Sequence, residues 1–206
     1  CGLIFRPENF MLDYTGTKEG LEEAKKYIVQ FKECLFDENV DGEGFSMTPS
    51  KKNEGFKTSA GIQYVAMAGN YRSKGLSYTG ALKVLKVIMG YEYLWNNVRV
   101  KGGAYGCMSN FGKSGECYFV SYRDPNLEKT VEVYKQAADF IRNFKGDERT
   151  ITKFIIGAIS EQDVPMNPAA KGTRSLAAYM SNVTFEEEQK DRNELLAVDE
   201  QIIRGL

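Results

Sequence analysis

The chain has 206 residues, no histidine, and 27 basic against 28 acidic side chains, a formal net charge of -1. Balanced charge without a basic run interleaved with aromatics excludes a nucleic-acid surface. No apolar stretch reaches the roughly 20 residues of a membrane span, and without histidine there is no Ser-His-Asp triad, Cys-His pair or His-containing zinc site. Cys1, Cys34, Cys107 and Cys117 lack the close pairing of a structural zinc site. Their scarcity, with no secretory signal pattern in CGLIFRPENF, favours a reducing compartment. The length suffices for one domain with a substantial core, and the missing initial Met reads as a piece excised from something longer.

In chain order, ENFMLDYT at residues 8–15 alternates Phe10, Leu12 and Tyr14 against polar neighbours and predicts a half-buried strand. Gly16 and Thr17 turn into a helix whose stripe is Leu21, Ala24, Ile28, Phe31 and Leu35, with Lys18, Glu22, Lys25, Lys26 and Lys32 solvated outside it. Residues 37–57, broken by Gly42, Gly44, Pro49 and Gly55, read as a surface loop. TSAGIQYVAMAG at 58–69 is apolar on both faces and predicts a central strand. The helix that organises the chain starts with Ser77 or Thr79 as N-cap. It buries Leu82, Leu85, Val87, Ile88, Met89, Tyr91, Leu94, Trp95 and Val98 around most of its circumference.

That helix stops at Arg99, turns on Gly102 and Gly103 and enters a strand carrying Tyr105. Strands at 104–111 and 116–123 flank GKSG as a hairpin, in a register that sets Tyr105 opposite Phe119 and Cys107 opposite Cys117, both thiols buried. Asp124-Pro125 opens a helix with Val131, Tyr134, Ala138 and Ile141 inward. Asp147 caps another, carrying Ile151, Phe154, Ile155, Ala158 and Ile159. After a proline-containing connection at 163–173 come a short helix around Ser175 to Met180 and a capping box, Thr184 and Glu187, for a helix through Leu195, Leu196 and Val198. The predicted class is α+β, one antiparallel or mixed sheet covered mainly on one face by helices.

Arg99 and Tyr105 sit six residues apart across the double-glycine turn. On their own they read as a cation at a helix C-terminus and an aromatic in a hairpin pair. Gly102, Gly103 and Gly106 read as backbone-geometry residues. Arg123 and Asp124 read as a turn and a cap.

YEYLWNNVRVKGGAYG followed by SYRDPN and a helix resembles the C-terminal half of the pitrilysin/insulinase family of inverted zinc metallopeptidases, in the branch that includes the presequence proteases. The likeness extends over most of the chain and rests on LW-x-x-V-R-x-K-G-G-A-Y-G together with SYRDP. It implies a parent of four related α+β domains in two bowl-like halves, joined by a linker, enclosing a chamber for unfolded peptides. Zinc would sit in the first domain on H-x-x-E-H plus a downstream Glu. This chain has no H-x-x-E-H, as expected of a last domain that binds no metal. By the same resemblance residues 1–206 form a single C-terminal domain. Arg99 and Tyr105 match the arginine and tyrosine that reach across the chamber to stabilise the reacting carbonyl, and Gly103 joins them at the substrate contact. The expected partners are a peptide substrate and the parent's N-terminal half, with no nucleic acid and no membrane, in a bacterial cytoplasm or an organelle lumen. The competing readings are a non-catalytic structural module of the same fold and an independent peptide-binding domain that adds a strand to a sheet edge.

Overall fold

A computed structural model describes residues 2–38, 44, 46–48 and 50–206. Two compact units divide it: Cys1–Lys57 with Pro165–Val183, and Thr58–Val164 with Thr184–Leu206.

In the first unit, residues 8–15 form no strand. Pro7–Asn9 is a 3-10 turn, and the chain then runs extended without ladder partners. Alternation supplies two faces, but a strand also needs a neighbour for its N–H and C=O groups. Phe10 is half-buried against Phe31, rings 5.6 Å apart, while Met11, Leu12 and Tyr14 are exposed. Helix α1, Lys18–Glu33, is capped by Thr17, whose hydroxyl accepts from the Gly20 N–H. Its stripe is only half-buried at Leu21, Ala24 and Ile28, with Phe31 exposed. Within the described part of 37–57 the chain has no helix or strand; Gly42 and Pro49, two of the expected breakers, lie outside the described residues. The helix expected around Ser175 is longer. It is α6, Pro168–Met180, with Asn167 accepting from the Ala170 N–H and Pro168 fixing the first turn.

The second unit holds an α+β core. Its antiparallel sheet has the order β1-β3-β2, with β1 Gln63–Asn70, β2 Gly106–Phe111 and β3 Glu116–Asp124. β1 is therefore an edge, not the central strand its composition predicts, and it starts at Gln63 rather than at 58. Small side chains explain the misreading: Ala66 and Ala68 look apolar but lie on the open face beside exposed Tyr64, and Val65 alone is fully buried. Ser109 and Ser121 face inward with Val65, while Met108 and Tyr118 lie outward, so helices cover one face.

The organising helix begins one residue later than expected, with Gly80 at the N-cap position. A carboxylate from elsewhere caps it: Glu194 accepts from the Thr79 hydroxyl and the Gly80 N–H, both at 2.8 Å. Helix α2, Ala81–Ile88, buries Ala81, Leu82, Val84, Leu85, Val87 and Ile88. Each large apolar side chain there contributes about 1.5–3 kcal/mol. From Met89 to Val100 the helix widens to π geometry, as in the Lys101 N–H bond to the Asn96 carbonyl five residues back. The wider turn explains why Tyr91 and Trp95, expected inside, are 68% and 44% exposed while Met89, Leu94 and Val98 stay buried.

Helices α3, Glu128–Lys135, and α4, Ala137–Arg142, break at Gln136, so Ala137 rather than Ala138 turns inward. Asp147 caps α5, Glu148–Gln162, by accepting from the Thr150 N–H at 2.8 Å. The Thr184–Glu187 capping box opens α7, Phe185–Leu196, and Asp199 caps α8, Glu200–Gly205. Among the described residues no helix is long and apolar enough to cross a membrane.

Tyr134 of α3 is 2% exposed, stacks on Phe119 and directs its hydroxyl to the Val65 carbonyl oxygen at 3.4 Å. Burial pushes its phenol from the ordinary value near 10 up to about 12. The folded state thus keeps this proton to higher pH than the unfolded chain. The contribution is whole below pH 10 and is lost as pH rises toward 12. Of the fall in stability that urea unfolding shows across that window, Tyr134 should contribute about 2–3 kcal/mol, since each tenfold difference in proton affinity between the two states is worth about 1.4 kcal/mol. The part due to this group should be missing from Tyr134→Phe.

Candidate functional site

The π segment ends in a corner that two glycines make possible for different reasons. Gly103 has φ 79°, in the left-handed region. A Cβ on Gly102 would stand 2.4 Å from the Val98 carbonyl oxygen. The corner lets the Gly103 N–H donate to the Arg99 carbonyl at 2.8 Å and the Ala104 N–H to that of Val98 at 3.2 Å. Backbone donors thus take the Val98 and Arg99 carbonyls at the helix end without the Arg99 side chain. Its guanidinium lies 3.9 Å from the centre of the Trp95 ring.

The chain leaves the corner as β2. The Tyr105 N–H approaches the Arg123 carbonyl at 3.4 Å, so Tyr105 faces Arg123, not Phe119. The hairpin register follows from its tight loop. Gly112 N–H donates to the Glu116 carbonyl, which pairs Phe111 with Cys117, Ser109 with Phe119 and Cys107 with Ser121. Cys107 and Cys117 therefore do not face each other; both are free thiols, as expected, but only half-buried. Burial pushes the Cys107 thiol up, with the Arg99 charge opposing it in part.

Asp124 does more than cap a helix. It ends β3, and α3 starts only at Glu128, so Pro125 is not its first residue. The Asp124 carboxylate is fully buried. It accepts from the Ser121 hydroxyl at 2.6 Å, the Thr130 hydroxyl at 2.8 Å and the Asn126 N–H at 2.8 Å. The Asn126 amide then donates to the Gly102 carbonyl oxygen. One buried carboxylate thereby ties the end of the hairpin to the double-glycine corner.

An open cavity of about 600 Å³ lies at this corner, lined by Arg99, Gly103, Tyr105 and Arg123 and by an apolar wall of Ile62, Trp95, Val100 and Ala104. All three expected site residues, Arg99, Gly103 and Tyr105, line it. Tyr105 is 61% exposed and Arg99 half-buried. Among the described residues neither the Tyr105 hydroxyl nor the Arg99 guanidinium has a hydrogen-bond or ion-pair partner, so both are available to a ligand. Tyr105 is held by its ring, edge-on to Tyr122 at 5.6 Å and under the Arg123 guanidinium at 5.4 Å. Arg123 is the member that sequence reasoning missed. Its backbone sits in the left-handed region at φ 47°, costly for a residue with a Cβ. SYRDP gave a turn signal there but nothing to show that the turn opens on a cavity.

The residues present do not fit a zinc ion. The sequence has no histidine, and among the described residues no three Cys, Asp or Glu side chains converge to hold one.

The chain is 42% identical to the protein HypA of Clostridium perfringens over 98% of its own length and 21% of that protein's. It is 33% identical to presequence protease 1, chloroplastic/mitochondrial, of Arabidopsis thaliana (89% of this chain, 19% of that one). It is 26% identical to the mitochondrial presequence protease of Xenopus laevis (93% and 19%). The chain thus spans about a fifth of the length of these relatives. The family described as the PreP C-terminal domain matches residues 53–202, most of the chain, and the chain belongs to that family.

Proposed function

We propose that the chain is the C-terminal, non-metal-binding domain of a zinc metalloendopeptidase that degrades unfolded or short peptides in a closed chamber. Its partners in this reading are the peptide and the parent's N-terminal half, in a bacterial cytoplasm or an organelle lumen. The zinc would be held by another domain, and the chemistry it would supply there is the activation of water. What this chain supplies is a phenol and a guanidinium.

The supporting observation is that Tyr105 and Arg99 line one open cavity with their polar groups unpartnered among the described residues, on either side of a corner held by Asn126. Peptide hydrolysis builds negative charge on the carbonyl oxygen. A phenol O–H fixed by its ring is a donor suited to that oxygen. The guanidinium offers planar donors to a neighbouring peptide carbonyl or carboxylate. Two donors brought from a separate domain would also make turnover depend on closure, because the site is complete only when the halves meet.

The test is turnover of an internally quenched, unstructured peptide by the complete peptidase carrying this domain, with Arg99→Ala and Tyr105→Phe introduced singly. Loss of turnover in both supports the reading. Wild-type turnover in both would make the domain a non-catalytic module of the family fold.

A further inference from the structure

The cavity carries two guanidinium groups, Arg99 and Arg123, and none of its lining residues bears a carboxylate. The nearest acid in sequence, Asp124, does not neutralise Arg123. Both of its oxygens are engaged inside the protein, by the Ser121 and Thr130 hydroxyls and the Asn126 N–H. Among the described residues Arg123 makes no ion pair. Its guanidinium lies over the face of Tyr105, which holds the cation without discharging it. The fold also keeps this arginine on a left-handed backbone, at φ 47°, where glycine would be unstrained. Two unpaired cations beside an apolar wall form a site for an anion flanked by apolar groups. Guanidinium favours a carboxylate, whose two oxygens match its planar fork.

We infer that Arg123, together with Arg99, makes this cavity a carboxylate subsite, which selects peptides presenting an acidic group there. The inference deepens the peptide-binding reading and rests on it, but it does not need Tyr105 to act in catalysis. The carboxylate has two possible sources, an Asp or Glu side chain or the peptide's free C-terminus.

The complete peptidase carrying this domain, with its metal removed so that no peptide is cleaved, is titrated by calorimetry with three short peptides of matched apolar sequence. One has a free C-terminal carboxylate, one a C-terminal amide, and one an amide plus an internal Asp. We expect at least one acidic peptide to bind about tenfold tighter than the neutral amide, and whichever does so identifies the source. Arg123→Gln should remove that discrimination, and so should Arg123→Gly, which relieves the backbone at the same time. Circular dichroism should be unchanged in both. Equal affinities for all three peptides, or discrimination that survives both substitutions, would overturn the carboxylate subsite while leaving a peptide site in place. Absence of binding by all three peptides would overturn the subsite and the peptide-binding reading together, whereas turnover that ignores Arg99 and Tyr105 would defeat only the catalytic one.

Discussion

Replacing Tyr105 by phenylalanine should lower kcat of the complete peptidase by about 10²–10³, the usual cost of one oxyanion donor, with KM near its wild-type value. The substitution removes one oxygen and keeps the ring. Packing against Tyr122 and the Arg123 guanidinium is therefore preserved. Among the described residues the hydroxyl has no protein partner, so its loss leaves no group unpaired and the unfolding midpoint should not move. An interaction realised only in the transition state changes kcat and kcat/KM together. A merely structural hairpin aromatic predicts no kinetic change at all, since phenylalanine fills that role equally well.

The second large effect is structural. Asp124→Ala should destabilise the chain by about 3 kcal/mol or more, because it strands three buried donors, each bond to a charged group contributing roughly 1.5–3 kcal/mol less the solvation regained. The Ser121 and Thr130 hydroxyls and the Asn126 N–H would all lose their acceptor. Asp124→Asn keeps one carbonyl oxygen and should fall between the two, with urea unfolding as the measurement. The consequence reaches the cavity because Asn126, released from Asp124, no longer holds the Gly102 carbonyl. The corner between Arg99 and Tyr105 then loosens. Asp124→Asn, if it folds, should accordingly lose turnover through misplacement of both side chains, although Asp124 touches no ligand.

What the sequence carried most plainly were local signals whose physics stays local. The Asp147 cap and the Thr184–Glu187 box depend on a side chain and a backbone N–H three residues on. The GKSG loop and the apolar periodicity of 81–88 were equally readable. The failures depended on what lies beside an element. Residues 8–15 alternate but have no ladder neighbour, and β1 is apolar but small, which left its outer face open. The hairpin register turned on where the tight loop closes, which moves each partner four residues along from the expected alignment, so that Cys107 meets Ser121 and not Cys117. The π segment preserves the apolar pattern while rotating Tyr91 and Trp95 outward, and no one-dimensional period distinguishes it from an ordinary helix.

At the site, Arg99 and Tyr105 were identified through the motif around the double glycine, not through any spacing rule. Gly103 was placed correctly at the corner, and its observed role is the left-handed turn. Arg123 was read as part of a turn. That much is true, but only the pairing of Arg123 with Tyr105 across the hairpin shows that its side chain reaches the same cavity.

The most direct measurement is a crystal structure of the complete peptidase holding a transition-state analogue of peptide hydrolysis. The Tyr105 hydroxyl should lie at hydrogen-bonding distance, about 2.6–3.0 Å, from the oxygen that stands for the oxyanion, with the Arg99 guanidinium on a neighbouring peptide carbonyl. An analogue bound at the metal with Tyr105 and Arg99 both still facing solvent would contradict the account.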